Sequence, residues 1–202
     1  SLHTPTGVVF IDGAGNNTIV LSPDDQPIPH DQIQHALRAM QGARYCVSGY
    51  EIAPESADFA LRTAWSLGMK TVLNPSPTPK KRPDLSFVTL LIVNAVEAGD
   101  LLRLANLQCS MEYMEAACLL QQAYGCPQVV ITLGAQGYVG RDGAASFSGK
   151  GFSCKAVDTS GAGDAFTPSQ LAFPKKAYLI VSPDAVSIPV VSAIVKMLGG
   201  MP

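Results

Sequence analysis

Short apolar runs that alternate with helix-like runs predict an α/β fold built on a mostly parallel sheet with helices on both faces. Two observations carry this expectation. The 202-residue chain is 47% apolar and only 15% charged, a balance suited to strands buried on both faces. From Arg44 onward, stretches with strand character and stretches with helical spacing follow one another in regular succession.

The elements read in order as follows. Gly7–Asp12 and Thr18–Leu21 are strand-like and flank the turn-forming Gly13-Ala14-Gly15-Asn16-Asn17, which predicts a hairpin. Asp31–Met40 has helical spacing, with Ile33, Ala36, Leu37 and Met40 on one face. Arg44–Ser48 is a strand, and Pro54–Leu67 a helix stopped by Gly68. Lys70–Leu73 is a strand leading into Asn74-Pro75-Ser76-Pro77. Val88–Val93 is a buried strand, a helix begins by Glu97, and Glu112–Tyr124 is a helix ending at Gly125. Gln128–Thr132 is a strand, followed by extended pieces around Tyr138-Val139 and Ser146-Phe147. In such a fold ligands bind beyond the carboxyl ends of the strands, so the loops after Ser48, Leu73, Val93, Thr132 and Val157 should carry the function.

Composition narrows the field. A net charge of −2 without a basic tract argues against nucleic acid and anionic membrane surfaces as partners. No apolar stretch is long enough to span a bilayer, and the first residues lack the pattern of a secretory signal. A cytoplasmic protein is expected. The five cysteines include no Cys-x-x-Cys pair, so reduced, buried thiols are expected in place of zinc sites or disulfides. His3, His30 and His35 read as surface residues.

The segment Asp158-Thr159-Ser160-Gly161-Ala162-Gly163-Asp164 carries the most chemistry. Small residues at 160–163 let the backbone turn tightly and aim successive amides at one point, and a helix starting there adds its positive end. That arrangement suits a transferring phosphate, and Asp164 stands where it can take a proton from an attacking hydroxyl. A glycine-rich turn with a capping aspartate is the bland alternative. The chain has no G-x-x-x-x-G-K-[ST] loop and no protein-kinase His-Arg-Asp or Asp-Phe-Gly set.

These residues resemble the C-terminal signature of the ribokinase-like (PfkB-type) carbohydrate kinase family. Three further segments resemble that family's motifs in the same order: Asn74-Pro75-Ser76-Pro77, Asn94-Ala95-Val96-Glu97-Ala98 and Thr132-Leu133-Gly134-Ala135-Gln136-Gly137. Four ordered matches are far more specific than one. The resemblance implies a three-layer ribokinase-like fold in which Gly7–Leu21 is a remnant of a lid hairpin. It implies Asp164 as the catalytic base, also touching the substrate, and the amides of Gly161, Ala162 and Gly163 as an anion hole. Asn94, Thr132, Leu133, Gly134, Ala135, Gln136, Gly137 and Gly163 would bind ATP. Asp158 and the Ser160 carbonyl would hold a potassium ion, and Glu97 a magnesium ion through water. Glu51 resembles the acidic residue that hydrogen-bonds a sugar hydroxyl. Each has a plainer reading: Asn74 and Asn94 as turn or cap residues, Glu97 as first-turn charge, the Thr132 loop as an ordinary strand-ending turn, Glu51 as a solvated carboxylate.

The implied activity is transfer of the γ-phosphate of ATP to the primary hydroxyl of D-ribose or a related small sugar, with a homodimer through the lid hairpin. A fructokinase, a nucleoside kinase and a catalytically impaired nucleotide-binding fragment stand as alternatives. Residues 1–166 read as part of a kinase domain and 167–202 as a divergent tail. The family's Gly-rich sugar-binding segment is not found ahead of the hairpin, and Pro168 falls where the helix after Asp164 should continue.

Overall fold

The computed structural model describes residues 7–11, 17–21, 27–40, 42–108, 112–151 and Phe166. Two strands, β1 (Gly7–Ile11) and β2 (Asn17–Leu21), pair antiparallel as the expected hairpin, in register from Gly7↔Leu21 to Ile11↔Asn17. The remaining elements run α1 (His30–Ala39), β3 (Tyr45–Gly49), α2 (Pro54–Ser66), β4 (Lys70–Asn74), β5 (Leu90–Asn94), α3 (Ala95–Leu104), α4 (Tyr113–Tyr124), β6 (Gln128–Thr132), β7 (Tyr138–Asp142) and β8 (Ala145–Gly149).

Strands β3 to β8 form one six-stranded sheet in chain order. The first four are parallel; β7 and β8 are added antiparallel beyond β6. The sequence explains the division. In β5, Leu90 to Val93 are all buried, the mark of a strand covered on both faces. In β8, no residue is fully buried, as suits an edge. The extended pieces expected around Tyr138 and Ser146 are therefore the arms of an antiparallel hairpin.

Alternate residues of each parallel strand point to opposite faces. Leu73, Leu91, Val93, Val129 and Ile131 pack with residues of all four helices in the main core. Val72, Leu90, Ile92 and Val130 face the other way, with Tyr45, Val47, Tyr138 and Phe147 around them. Because the strands are laid down in chain order, crossovers of one hand carry their helices to one face. Helices α1–α4 lie on that face. The helical cover expected on the second face is represented among the described residues by Phe166, which is helical and packs edge-on against Tyr138 at 5.4 Å between ring centroids.

Two local expectations are corrected. Val88 is buried but precedes β5: its N–H closes a turn on the Leu85 carbonyl at 2.8 Å, so it fills the core without joining the ladder. Ala36 is exposed, and α1 seats itself through Ile33 and Leu37. Cys46 and Cys126 are buried free thiols, as expected, and Cys118 is half-buried. His30 and His35 are exposed, with His30 stacked on Phe59 at 3.7 Å.

Leu91 is wholly buried at the middle of β5 and belongs to the main core. Leu91→Ala is expected to cost about 2–5 kcal/mol in urea unfolding. A loss below about 1 kcal/mol would place the centre of the core elsewhere.

Candidate functional site

The carboxyl ends of the four parallel strands bring together residues far apart in sequence. Gly49 pairs with Asn74, and Asn94 with Thr132, so β3, β4, β5 and β6 end on one rim. Asn74 reaches across to the next strand, donating from Nδ2 to the Ile92 carbonyl at 2.9 Å. Thr132 Oγ1 donates to the Val93 carbonyl at 3.4 Å.

Helix α3 starts directly from β5, and its first turn is closed by a reciprocal cap. Asn94 Oδ1 accepts from the N–H groups of Val96 and Glu97, each at 2.9 Å, while the Asn94 N–H donates to Glu97 Oε2 at 2.8 Å. The spacing of three residues makes this possible. Asn94 thus fills the capping role that its residue type suggests. Its oxygen is committed to the helix, which leaves the amide Nδ2 donor as the end that can meet an anion.

Glu97 is 8% exposed, one of three buried polar side chains among the described residues. Besides the Asn94 amide, the side chains of Ser76 and Asn74 act on its carboxylate as donors that favour the charged form. Burial pushes its pKa above the ordinary value, and these three donors oppose the shift without cancelling it. Glu97 therefore joins the loop after β4 to the start of α3. The Ser76-Pro77 peptide in that loop is cis.

A depression of about 270 Å³ opens beside this cap. It is lined by Asn94, Ala95, Val96, Tyr113, Thr132, Leu133, Gly134 and Gln136. Both α3 and α4 begin at it, so two positive helix ends meet there. The turn after β6 is a short 3₁₀ segment, Gly134–Gln136, closed by Leu133 N–H to the Gly137 carbonyl at 2.8 Å. Gly137, at φ 103°, lies so close to residues 149–151 that a Cβ would stand 2.0 Å from the Gly149 carbonyl oxygen. The turn is thereby packed against the segment that leads toward Asp158. A second depression, about 330 Å³ around Arg82, Asp84 and Tyr124, lies at the opposite end of the strands, and Arg82 there already donates to the Ala123 carbonyl at 2.6 Å.

Of the residues singled out from the sequence, Asn94, Thr132, Leu133, Gly134 and Gln136 line one depression, and Glu97 lies behind it. Ala135 and Gly137 belong to the same turn without lining it. Glu51 is exposed, between β3 and α2. Asp158, Ser160, Gly161, Ala162, Gly163 and Asp164 lie outside the described residues. Sequence reasoning did not single out Ser76 as a partner of Glu97. A polar residue inside Asn74-Pro75-Ser76-Pro77 was the available signal. Tyr113 carried none, because only helix packing brings it to the rim, whereas Val96 follows Asn94 directly within the Asn94–Ala98 motif.

The raised Glu97 pKa gives a signed prediction. The folded carboxyl holds its proton more tightly than the unfolded chain, whose value is near the ordinary 4.5. Across that window the unfolded state binds fewer protons, so this group's contribution to stability falls as pH rises. Glu97→Gln keeps a capping oxygen and should flatten that part of the profile in urea unfolding as pH rises from the ordinary carboxylate range toward neutrality. An unchanged slope would mean that Glu97 is solvated.

Comparison with known proteins agrees with this geometry. The chain is 32% identical over 169 residues to mouse (Mus musculus) ribokinase, covering 81% of this chain and 51% of the relative. It is 28% identical over 168 residues to Schizosaccharomyces pombe ribokinase, covering 81% and 52%. The chain spans about half the length of the curated relatives it matches. Among solved structures, ribokinase from Thermotoga maritima superposes with a TM-score of 0.69 at 22% identity, covering 83% of this chain and 55% of that one. Arabidopsis thaliana ribokinase complexed with ribose and ATP gives 0.62 at 22% identity, covering 80% and 53%. A nucleoside kinase from Burkholderia thailandensis in complex with inosine gives 0.61 at 16% identity, covering 83% and 54%. These likenesses show a shared fold. No helix among the described residues is long and apolar enough to cross a membrane, and none of their His, Cys, Asp and Glu side chains cluster as a three-ligand metal site. Residues 2–172 match the pattern of a pfkB family carbohydrate kinase, and the chain belongs to that family.

Proposed function

We propose that this chain carries the phosphoryl-transfer half of an ATP-dependent sugar kinase of the ribokinase type, acting on the primary hydroxyl of D-ribose. The observation that carries the reading is the gathering of Asn94, Thr132, Leu133, Gly134 and Gln136 around one depression at two helix N-termini. An anion-favouring rim with side-chain and backbone donors suits ATP phosphates.

In this mechanism Asn94 Nδ2 and the turn from Thr132 to Gly137 hold the nucleotide. Asp164 accepts the proton of the sugar hydroxyl as its oxygen bonds to the γ-phosphorus. The bond from that phosphorus to the bridging oxygen breaks, and ADP leaves with the electron pair. The amides of Gly161, Ala162 and Gly163 receive the charge on the transferring group. Glu51 would take a hydrogen bond from a sugar hydroxyl.

Magnesium, bound with ATP, would supply neutralisation of the phosphate charge. Glu97 fits it as an outer partner: three donors already occupy its carboxylate, leaving capacity for a metal-bound water. Asp158 and the Ser160 carbonyl are hard oxygen donors of the kind potassium takes.

Dimer formation through the hairpin is favoured by Val8, Phe10 and Val20, which are 50%, 61% and 55% exposed on one of its faces. A cytoplasmic setting goes with the use of ATP. Residues 1–166 form the kinase part in this reading, with 167–202 as a tail.

The fold likeness to a nucleoside kinase favours one alternative substrate class, nucleosides. A coupled ADP-release assay with ribose, fructose and adenosine, with and without potassium, separates them. Asp164→Asn should lower kcat by about 10²–10⁴-fold with little change in the KM for ATP. Turnover unchanged by this substitution would remove Asp164 from the base role, and ATP binding without turnover on any substrate would favour a nucleotide-binding module.

A further inference from the structure

We infer that Tyr50 is a positioning residue for the sugar side of the site, acting through Glu51. This rests on the reading of Glu51 as a sugar-hydroxyl acceptor. The connection between β3 and α2 is four residues, Tyr50 to Ala53, and both ends are fastened. At its far end the Ala53 carbonyl accepts from the N–H groups of Ser56 and Ala57, at 2.9 and 3.2 Å, as the first turn of α2. At its near end the Tyr50 N–H donates to the Ser76 carbonyl at 3.1 Å, tying the connection to the loop that also contacts Glu97. Gly49 permits this approach: a Cβ there would stand 3.0 Å from the Asn74 carbonyl oxygen.

The side chain adds a third fastening. Tyr50 is 5% exposed, and its hydroxyl donates to Asp58 Oδ1, in the second turn of α2, at 2.9 Å. That bond spans the connection and joins the exit of β3 to the helix. Tyr50 is thus held in the core, and the next residue, Glu51, is exposed just beyond the carboxyl end of β3. Displacing the Glu51 backbone would require pulling the buried Tyr50 ring or breaking its bond to Asp58. Burial and the neighbouring Asp58 charge raise the Tyr50 pKa, so the hydroxyl keeps its proton and stays a donor through the neutral range. Burial raises the Asp58 pKa above its ordinary value, opposed by the Tyr50 hydrogen bond and by Arg62, which is itself bonded to Asp84 at 2.8 Å.

A binding split tests this. Calorimetry on the full chain would measure the Kd for ATP, and then the Kd for D-ribose with a non-hydrolysable ATP analogue present. Tyr50→Phe keeps the ring and removes only the hydroxyl. It should weaken ribose about fivefold to tenfold, the worth of one hydrogen bond, and leave ATP unchanged. Asp58→Asn keeps an acceptor for the Tyr50 hydroxyl and should hold the ribose Kd within about twofold of wild type. Unchanged ribose affinity in Tyr50→Phe overturns the inference, as does a parallel loss for ribose and ATP, which a merely structural role would give. A wild-type chain that binds ATP but not ribose overturns the assignment of Glu51 as the sugar contact, and this inference falls with it.

Discussion

The buried carboxylate of Glu97 is the constraint on which the rim depends. It is mostly removed from water, and burial holds its pKa above the ordinary value while three donors act in the opposite sense. One comes from the backbone where β5 becomes α3, and two come from the loop after β4. Satisfying one charge therefore fixes a strand end, a helix start and a neighbouring loop relative to one another. Loss of any donor would leave the others holding a less compensated charge.

This arrangement also sorts the polar groups of the rim by role. Asn94 spends its oxygen on the helix and keeps its donor outward, while Glu97 faces inward. The surface offered to a ligand at the start of α3 is thus weighted toward donors, and α4 brings a second positive helix end to the same depression. The Glu97 carboxyl is held behind the rim, away from the surface that a ligand would meet. The same loop after β4 fastens Tyr50, so the rim at the start of α3 and the connection bearing Glu51 share one structural support.

Local signals in the sequence were good guides where the physics is local. The Asn94–Glu97 relation spans three residues and shows as a cap in the sequence itself, and Gly125, in the left-handed conformation, ends α4 as its position suggests. Other features depend on register and packing. The apolar run at Val88 marks burial, but whether its backbone pairs or turns is decided by the Leu85 carbonyl. The placement of all four described helices on one face follows from strand order, which alternation of apolar residues does not encode. Ser76 is brought beside Glu97, and Tyr113 to the same depression as Thr132, only through the parallel ladder and the helices laid across it, so neither meeting has a signature along the chain.

In the proposed function, the carboxyl-end rim is the nucleotide site. Amide chemical shifts of isotope-labelled protein, followed as ATP is added, test it most directly. Saturable shifts are expected at Asn94, Val96, Thr132–Gly134 and Gln136, with the opposite depression at Arg82–Leu85 and Tyr124 unaffected. Shifts concentrated at Arg82–Leu85, or none at Asn94 and Thr132 at saturating ATP, would contradict it.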